Sequence, residues 1–231
     1  TQVFDSAFVP DINATIKELQ DKGAKVYAIA LGDLTWDLYW YQNNFTLTDY
    51  LKYIKKLNCP VFNVMGNHDN DPYASSNLTT GTDADWNAAL PYKRIIGPSY
   101  YSFNLGKTHY VVLDDIQYLN DGGSDGIVGK RNYNNRITDD QMEWLKKDLA
   151  LVTDKNAPLV IAMHIPLYGN PKLKGGVQQD RYELDEDNAT SLKQILSEFN
   201  NVHLLTGHTH LDYNVTRDIN LYEHNTPAVC A

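Results

Sequence analysis

Four short apolar runs, each closing on polar residues, constrain the fold of this chain more than any other feature. They are 25-KVYAIALGD-33, 60-PVFNVMGNHD-69, 158-PLVIAMHIP-166 and 202-VHLLTGHTH-210. Short runs of this kind bounded by turn residues read as buried strands. Helical spacing fills the gaps between them. Asp11 to Lys22 carries Ile12, Ile16 and Leu19 and stops at Gly23, and Thr48 to Leu57 carries Leu51, Ile54 and Leu57. Thr138, with Gln141 three residues on, predicts a capping box ahead of a Met142, Leu145, Leu149 stripe. Another helix is expected over 188–200. Residues 82–97 read as a helix interrupted at Pro91, and 100–115 as a hairpin turning at Gly106-Lys107. The segments 70–81, 117–137 and 167–187 read as long loops. Strands alternating with helices predict an α/β fold.

In open α/β sheets, ligands bind outside the carboxyl ends of the strands. Here those ends carry Asp33, then Asn67, His68 and Asp69, then His164, then His208 and His210. Carboxylate, amide oxygen and imidazole suit borderline divalent ions such as Mn, Fe, Zn or Ni. Asp33 is the carboxylate placed to bridge two ions. His208 and His210 are two residues apart, a spacing that points both rings the same way in extended chain. Gly207 lets the backbone turn ahead of them. Each residue also has a plain structural reading. Asp33 suits a helix N-cap, Asn67 a left-handed turn, His164 a satisfied core position, and the last two histidines a surface turn. Their coincidence at four strand ends favours metal ligation.

Composition narrows the partners. A formal charge of −9, from 20 basic and 29 acidic residues, argues against binding a nucleic-acid backbone. It does not exclude a small anionic substrate held by bound cations. No run approaches the eighteen or so apolar residues of a membrane span. Cys59 and Cys230 show no metal-site or disulfide spacing. Five N-x-T triplets, at Asn13, Asn44, Asn77, Asn188 and Asn214, read as chance in an Asn-rich chain. Abundant Asn and Tyr with scarce Cys suit a bacterial periplasmic or cell-surface protein. No motif speaks to oligomeric state.

Several other residues fit no metal motif. His109, His203 and His224 read as structural, with His224 the one that could approach the site. Asp114 and Asp115 end the hairpin strand and read as caps or solvated loop residues, with a place near the cleft as the alternative. Arg131, Arg136, Lys172, Lys174 and Arg181 read as solvated loop charges, some of which could grip a phosphate. Trp36, Tyr39, Trp40 and Tyr41 either wall a cleft or pack beneath a loop.

Taken together, 32-GDLTWD-37, 66-GNHD-69, His164 in 163-MHIP-166 and 207-GHTH-210 resemble the calcineurin-like metallophosphoesterase family in motif and in order. The resemblance implies a two-sheet α/β sandwich with two divalent metal ions at the strand carboxyl ends. It implies that Asp33 bridges the ions, that Asn67, His164 and His208 complete one of them, and that His210 ligates the other. His68 would be the catalytic histidine, a proton donor to the leaving group, with Asp69 orienting it. The implied activity is hydrolysis of a phosphoester or pyrophosphate bond by a metal-bridging hydroxide. The family's first motif, Asp-x-His or a variant, has no counterpart, because Asp5 and Asp11 do not close an apolar strand. The expectation is one metallophosphoesterase domain over 1–231, truncated at both ends. The alternatives are a non-catalytic metal-binding scaffold of the same fold and a mononuclear metal hydrolase of a non-phosphate substrate.

Overall fold

The computed structural model describes residues 7–35, 45–71, 81–119, 133–168 and 182–227. Trp36, Tyr39, Trp40, Tyr41, Arg131, Lys172, Lys174 and Arg181 lie outside them, as do Asp5, Asn44, Asn77 and Cys230. Two β-sheets form the middle of the fold. The smaller pairs β1 (Ala28–Leu31) with β2 (Val61–Val64) in parallel. The larger has six strands: β3 (Tyr101–Leu105), β4 (Thr108–Val112), β7 (Leu159–Ala162), β8 (Val202–Thr206), β9 (Tyr213–Asp218) and β10 (Leu221–Asn225). They run in the order β3-β4-β7-β8-β10-β9. The four inner strands are parallel, and β3 and β9 close the two edges antiparallel. A small third sheet pairs β5 (Ile116–Tyr118) with β6 (Tyr133–Asn135).

Residues one apart on a strand face opposite ways, and this alternation builds the layers. Ile29, Leu31 and Val64 of the small sheet meet Val112, Ala162 and Leu205 of the large one. Phe62 stacks on Phe103 across the same gap, ring centroids 3.9 Å apart. On the far side of the large sheet, Val111, Ile161 and Leu204 pack with Met142, Leu145 and Leu149 of α4 (Asp139–Leu149). Leu192 and Leu196 of α5 (Glu186–Leu196) join the same core. The outer side of the small sheet is covered by three helices: α1 (Val9–Asp21), α2 (Leu47–Ile54) and α3 (Gly81–Ile95). The result is the expected two-sheet α/β sandwich, with helices outside both sheets. No helix among the described residues is long and apolar enough to cross a membrane.

Two expectations need correction. Pro91 does not interrupt α3, which runs continuously from Gly81 to Ile95. Proline forfeits one backbone hydrogen bond, and the buried Ala88, Ala89 and Tyr92 carry the helix through it. Thr138 is the N-cap of α4, but no side-chain capping bond forms there. The Gln141 amide is engaged elsewhere: it donates to the Asp114 carbonyl at 2.7 Å and accepts from the Asp114 N–H at 2.8 Å. Burial of Gln141 makes that pairing the stronger demand. After His210 the chain forms a hairpin, β9 and β10, with β10 joining the large sheet beside β8. The polar outer face of β9 hides its strand character in the sequence.

Two of the triplet asparagines, Asn13 and Asn188, brace the fold. Asn188 is buried and exchanges two hydrogen bonds with the backbone of Ile137. The Asn13 amide bridges Lys56 and Asn58, tying α1 to the chain after α2. Both are structural side chains.

Candidate metal centre

Four strands deliver the site. Asp33 follows β1, Asn67 follows β2, His164 follows β7 and His208 follows β8. The turns after β1 and β2 approach so closely that only glycine fits. A Cβ on Gly32 would stand 2.5 Å from His164 Nδ1. One on Gly66 would collide with the amide nitrogen and carboxylate of Asp33. These glycines are therefore spacers that let the turns carrying Asp33 and Asn67 nest together.

The convergence is tight. Asn67 Oδ1 lies 3.0 Å from His164 Nε2 and 3.1 Å from His208 Nδ1. The two imidazole nitrogens are themselves 3.1 Å apart. Asp33 Oδ2 is 3.3 Å from His164 Nε2. Asp33, His164 and His208 each offer a ligand atom within 4.8 Å of the others. His164 Nδ1 stands 2.7 Å from the Leu31 carbonyl. An N–H there satisfies that carbonyl and turns the Nε2 lone pair towards the cluster, the arrangement usual for a metal-ligating imidazole. Carboxylate oxygen, amide oxygen and two imidazole nitrogens then face a common point. One proton on Nε2 can serve one of those acceptors, whereas a divalent cation can serve all four, so the donor set fits a metal ion.

Charge in the site follows from this crowding. Burial would raise the Asp33 carboxyl, but His164 and His68 outweigh it and hold it well below the usual carboxylate range. Burial alone would lower His164, yet the Asp33 carboxylate beside it lifts its pKa to about 9. Burial, with the charge of Asp33, pushes Asp69 up to about 7. Asp33, His208 and His210 all have left-handed backbones, with φ of 52°, 61° and 57°. Each such residue costs about 1–2 kcal/mol, a strain that collects at functional turns.

His68 directs its backbone N–H to Asp33 Oδ1 at 3.0 Å and is half-buried beside the cluster. Asp69 is fully buried and accepts from the N–H of Gly66 at 2.8 Å and of Thr35 at 3.0 Å. Those bonds staple the turn after β1 to the turn after β2. His210 is exposed and is not in the group of converging ligands found among the described residues. His224 does not join the site either: its ring bonds to His203 and Asn214. His109 joins the β3–β4 hairpin to α4 through Asn104 and Asp148. Arg136 pairs with Asp187.

Three supporting groups have roles that sequence reasoning does not assign. Asp115 is fully buried rather than a solvated cap, and its Oδ2 accepts from the Ile165 N–H at 2.6 Å, fixing the turn that carries His164. Tyr182 brings its ring to 5.4 Å from that of His208. Asn225 bonds to three residues of the turn carrying His208. The spacing of these residues gives no signal, because each reaches the site across the fold.

Residues 7–212 match the family model described as calcineurin-like phosphoesterase. Over 118 residues the chain is 30% identical to purple acid phosphatase 13 of Arabidopsis thaliana, a stretch that is 50% of this chain and 18% of that protein. Among solved structures, a dimetal phosphatase from Danio rerio superposes with a TM-score of 0.60 at 15% identity, over 93% of this chain and 76% of its own. The purple acid phosphatase PPD1 from yellow lupin, Lupinus luteus, gives 0.55 at 16% identity, over 93% and 39%. At these identities the two structures bear on the fold.

Proposed function

The chain belongs to the calcineurin-like phosphoesterase family, and from that premise we propose that it carries the metal-dependent hydrolytic site for a phosphoester or pyrophosphate bond. The observation that carries this reading is the convergence of Asp33, Asn67, His164 and His208 lone pairs on one point. Those four side chains would hold one divalent ion, with Asp33 placed to bridge to a second and His210 offered to that second ion. Bound divalent cations there would supply Lewis acidity towards a phosphoryl oxygen and a water acidic enough to attack near neutral pH.

The chain's own residues do the rest. Leu31 O fixes the His164 ring, so its Nε2 stays aimed at the cluster. Asp69 locks the two nested turns and thereby the spacing of Asp33 from Asn67. His68, beside Asp33, donates a proton to the leaving-group oxygen as its bond to phosphorus breaks. The substrate is a small phosphorylated molecule. A periplasmic or cell-surface setting suits the composition.

The test is turnover of p-nitrophenyl phosphate and its bis ester with added Mn²⁺, by the native protein and by Asp33→Ala. The reading expects turnover of at least one ester by the native protein, and loss of metal and activity together in the variant. Absence of turnover under Mn²⁺, Zn²⁺, Ni²⁺ and Fe²⁺ would overturn it. The exposed position of His210, outside the converging group, favours one alternative in that event: a single-metal scaffold of the same fold.

A further inference from the structure

We propose that Asn225, at the end of β10, is the positioning residue that holds the His208 turn in its ligating shape. This rests on the reading of His208 as a metal ligand. Asn225 sits opposite Thr206 in the parallel β8–β10 register and is 1% exposed. Its side chain spans the turn that follows β8. Nδ2 donates to the Gly207 carbonyl at 2.6 Å and to Thr206 Oγ1 at 2.9 Å. Oδ1 accepts from Thr209 Oγ1 at 2.6 Å. One amide thus binds the residues on both sides of His208.

The chemistry admits little substitution. Thr206 spends its own proton on Glu223 Oε1, so it can only accept from residue 225. The Gly207 carbonyl can only accept, and Thr209 here donates. Residue 225 must therefore offer two donors on one side and an acceptor on the other, which an uncharged amide does and a carboxylate does not. The amide orientation is fixed by the same logic, because a flip would set its oxygen against the Gly207 carbonyl. The turn needs such a brace: His208 and His210 are both left-handed, and a strained backbone persists only where its surroundings over-determine it. Without the brace, His208 can relax to ordinary φ and carry its ring away from Asn67 and His164.

The experiment measures Mn²⁺ affinity by equilibrium dialysis of the full chain, with thermal unfolding in EDTA as the fold control. Variants are Asn225→Leu, Thr209→Val and Thr209→Ser. Loss of an outer group that orients a ligand weakens metal binding roughly 10–100-fold, and that weakening is expected for Asn225→Leu and Thr209→Val. Thr209→Ser keeps the hydroxyl and is expected to bind within about twofold of the native protein. Should Asn225→Leu fail to fold, the Thr209 pair decides alone. Unchanged affinity in the valine variant, or equal loss in valine and serine variants, overturns the proposal; so does a lowered unfolding temperature in EDTA with native affinity. A native protein that binds Mn²⁺ through His208 but turns over no ester defeats the phosphoesterase reading and leaves this one standing. A native protein that binds no divalent ion defeats the ligand assignment on which this one rests.

Discussion

Replacing Gly66 by alanine isolates the nesting of the two ligand turns from every other effect. Gly66 is not among the residues with positive φ, so alanine meets no left-handed penalty there. On backbone grounds alone the change would stabilise the chain by about 0.4–1 kcal/mol, because alanine restricts the unfolded state. The structure supplies the opposing term. The new methyl would collide with the Asp33 amide nitrogen and carboxylate. Carbon contacts are comfortable at about 3.5–4 Å, so the turns after β1 and β2 must part by about an ångström. Overpacking of this kind costs about 1–3 kcal/mol, leaving a net loss of roughly 0–2.6 kcal/mol after the entropic gain. The functional effect is larger, because a misplacement of about 1 Å in a positioned group can cost about 100-fold in rate. The assay pairs thermal unfolding with bound-metal analysis and p-nitrophenyl phosphate turnover. We expect a modest stability change beside at least a tenfold fall in metal affinity or turnover. Native metal content and turnover within twofold would refute the claim that turn spacing makes the site.

The control is Gly23→Ala: its φ is +84° with nothing within 4 Å of the new methyl, so it is expected to lose about 1–2 kcal/mol of stability with metal binding unchanged in the same dialysis assay. Asn188→Ala removes the pair of bonds that satisfies Ile137 N and O, and urea unfolding should show a loss of about 1–3 kcal/mol with turnover intact. His203 should give a pH signature. Burial and the neighbouring His224 hold its pKa below the ordinary value of 6.5, so the unfolded chain takes up a proton that the folded chain resists. Stability from this group is present above pH 6.5 and is lost as pH falls through the lowered folded value. The unfolding temperature of His203→Gln, scanned against pH, should fall less steeply below pH 6.5 than that of the native protein.

The parts of the fold legible in the sequence are those written in local periodicity. Strands β1, β2, β7 and β8 announce themselves because packing on both faces makes them largely apolar. The strand-end residues Asp33, Asn67, His164 and His208 announce themselves because each is a polar group placed where an apolar run stops, and the fold brings them together. Edge strand β9 is illegible for the opposite reason, since one solvated face gives it polar residues, Asn214, Thr216 and Asp218, at alternate positions. Gln141 shows how a local pattern can be overridden. Its spacing from Thr138 suits a capping box, but the fold brings Asp114 against it, and a buried backbone pair outweighs an exposed cap. The braces Asp115 and Asn225 are invisible because each depends on contacts across many residues, which no sequence period encodes.

The central claim is that chain-distant donors gather at the strand ends to hold a divalent ion, and anomalous X-ray scattering from crystals of the Mn²⁺-loaded protein tests it most directly. The account predicts an anomalous peak at about 2.0–2.2 Å from Asp33, Asn67, His164 and His208, the range of nitrogen and oxygen ligands on a borderline divalent ion. A peak coordinated by other residues, with those four side chains bonded only to one another, would contradict it.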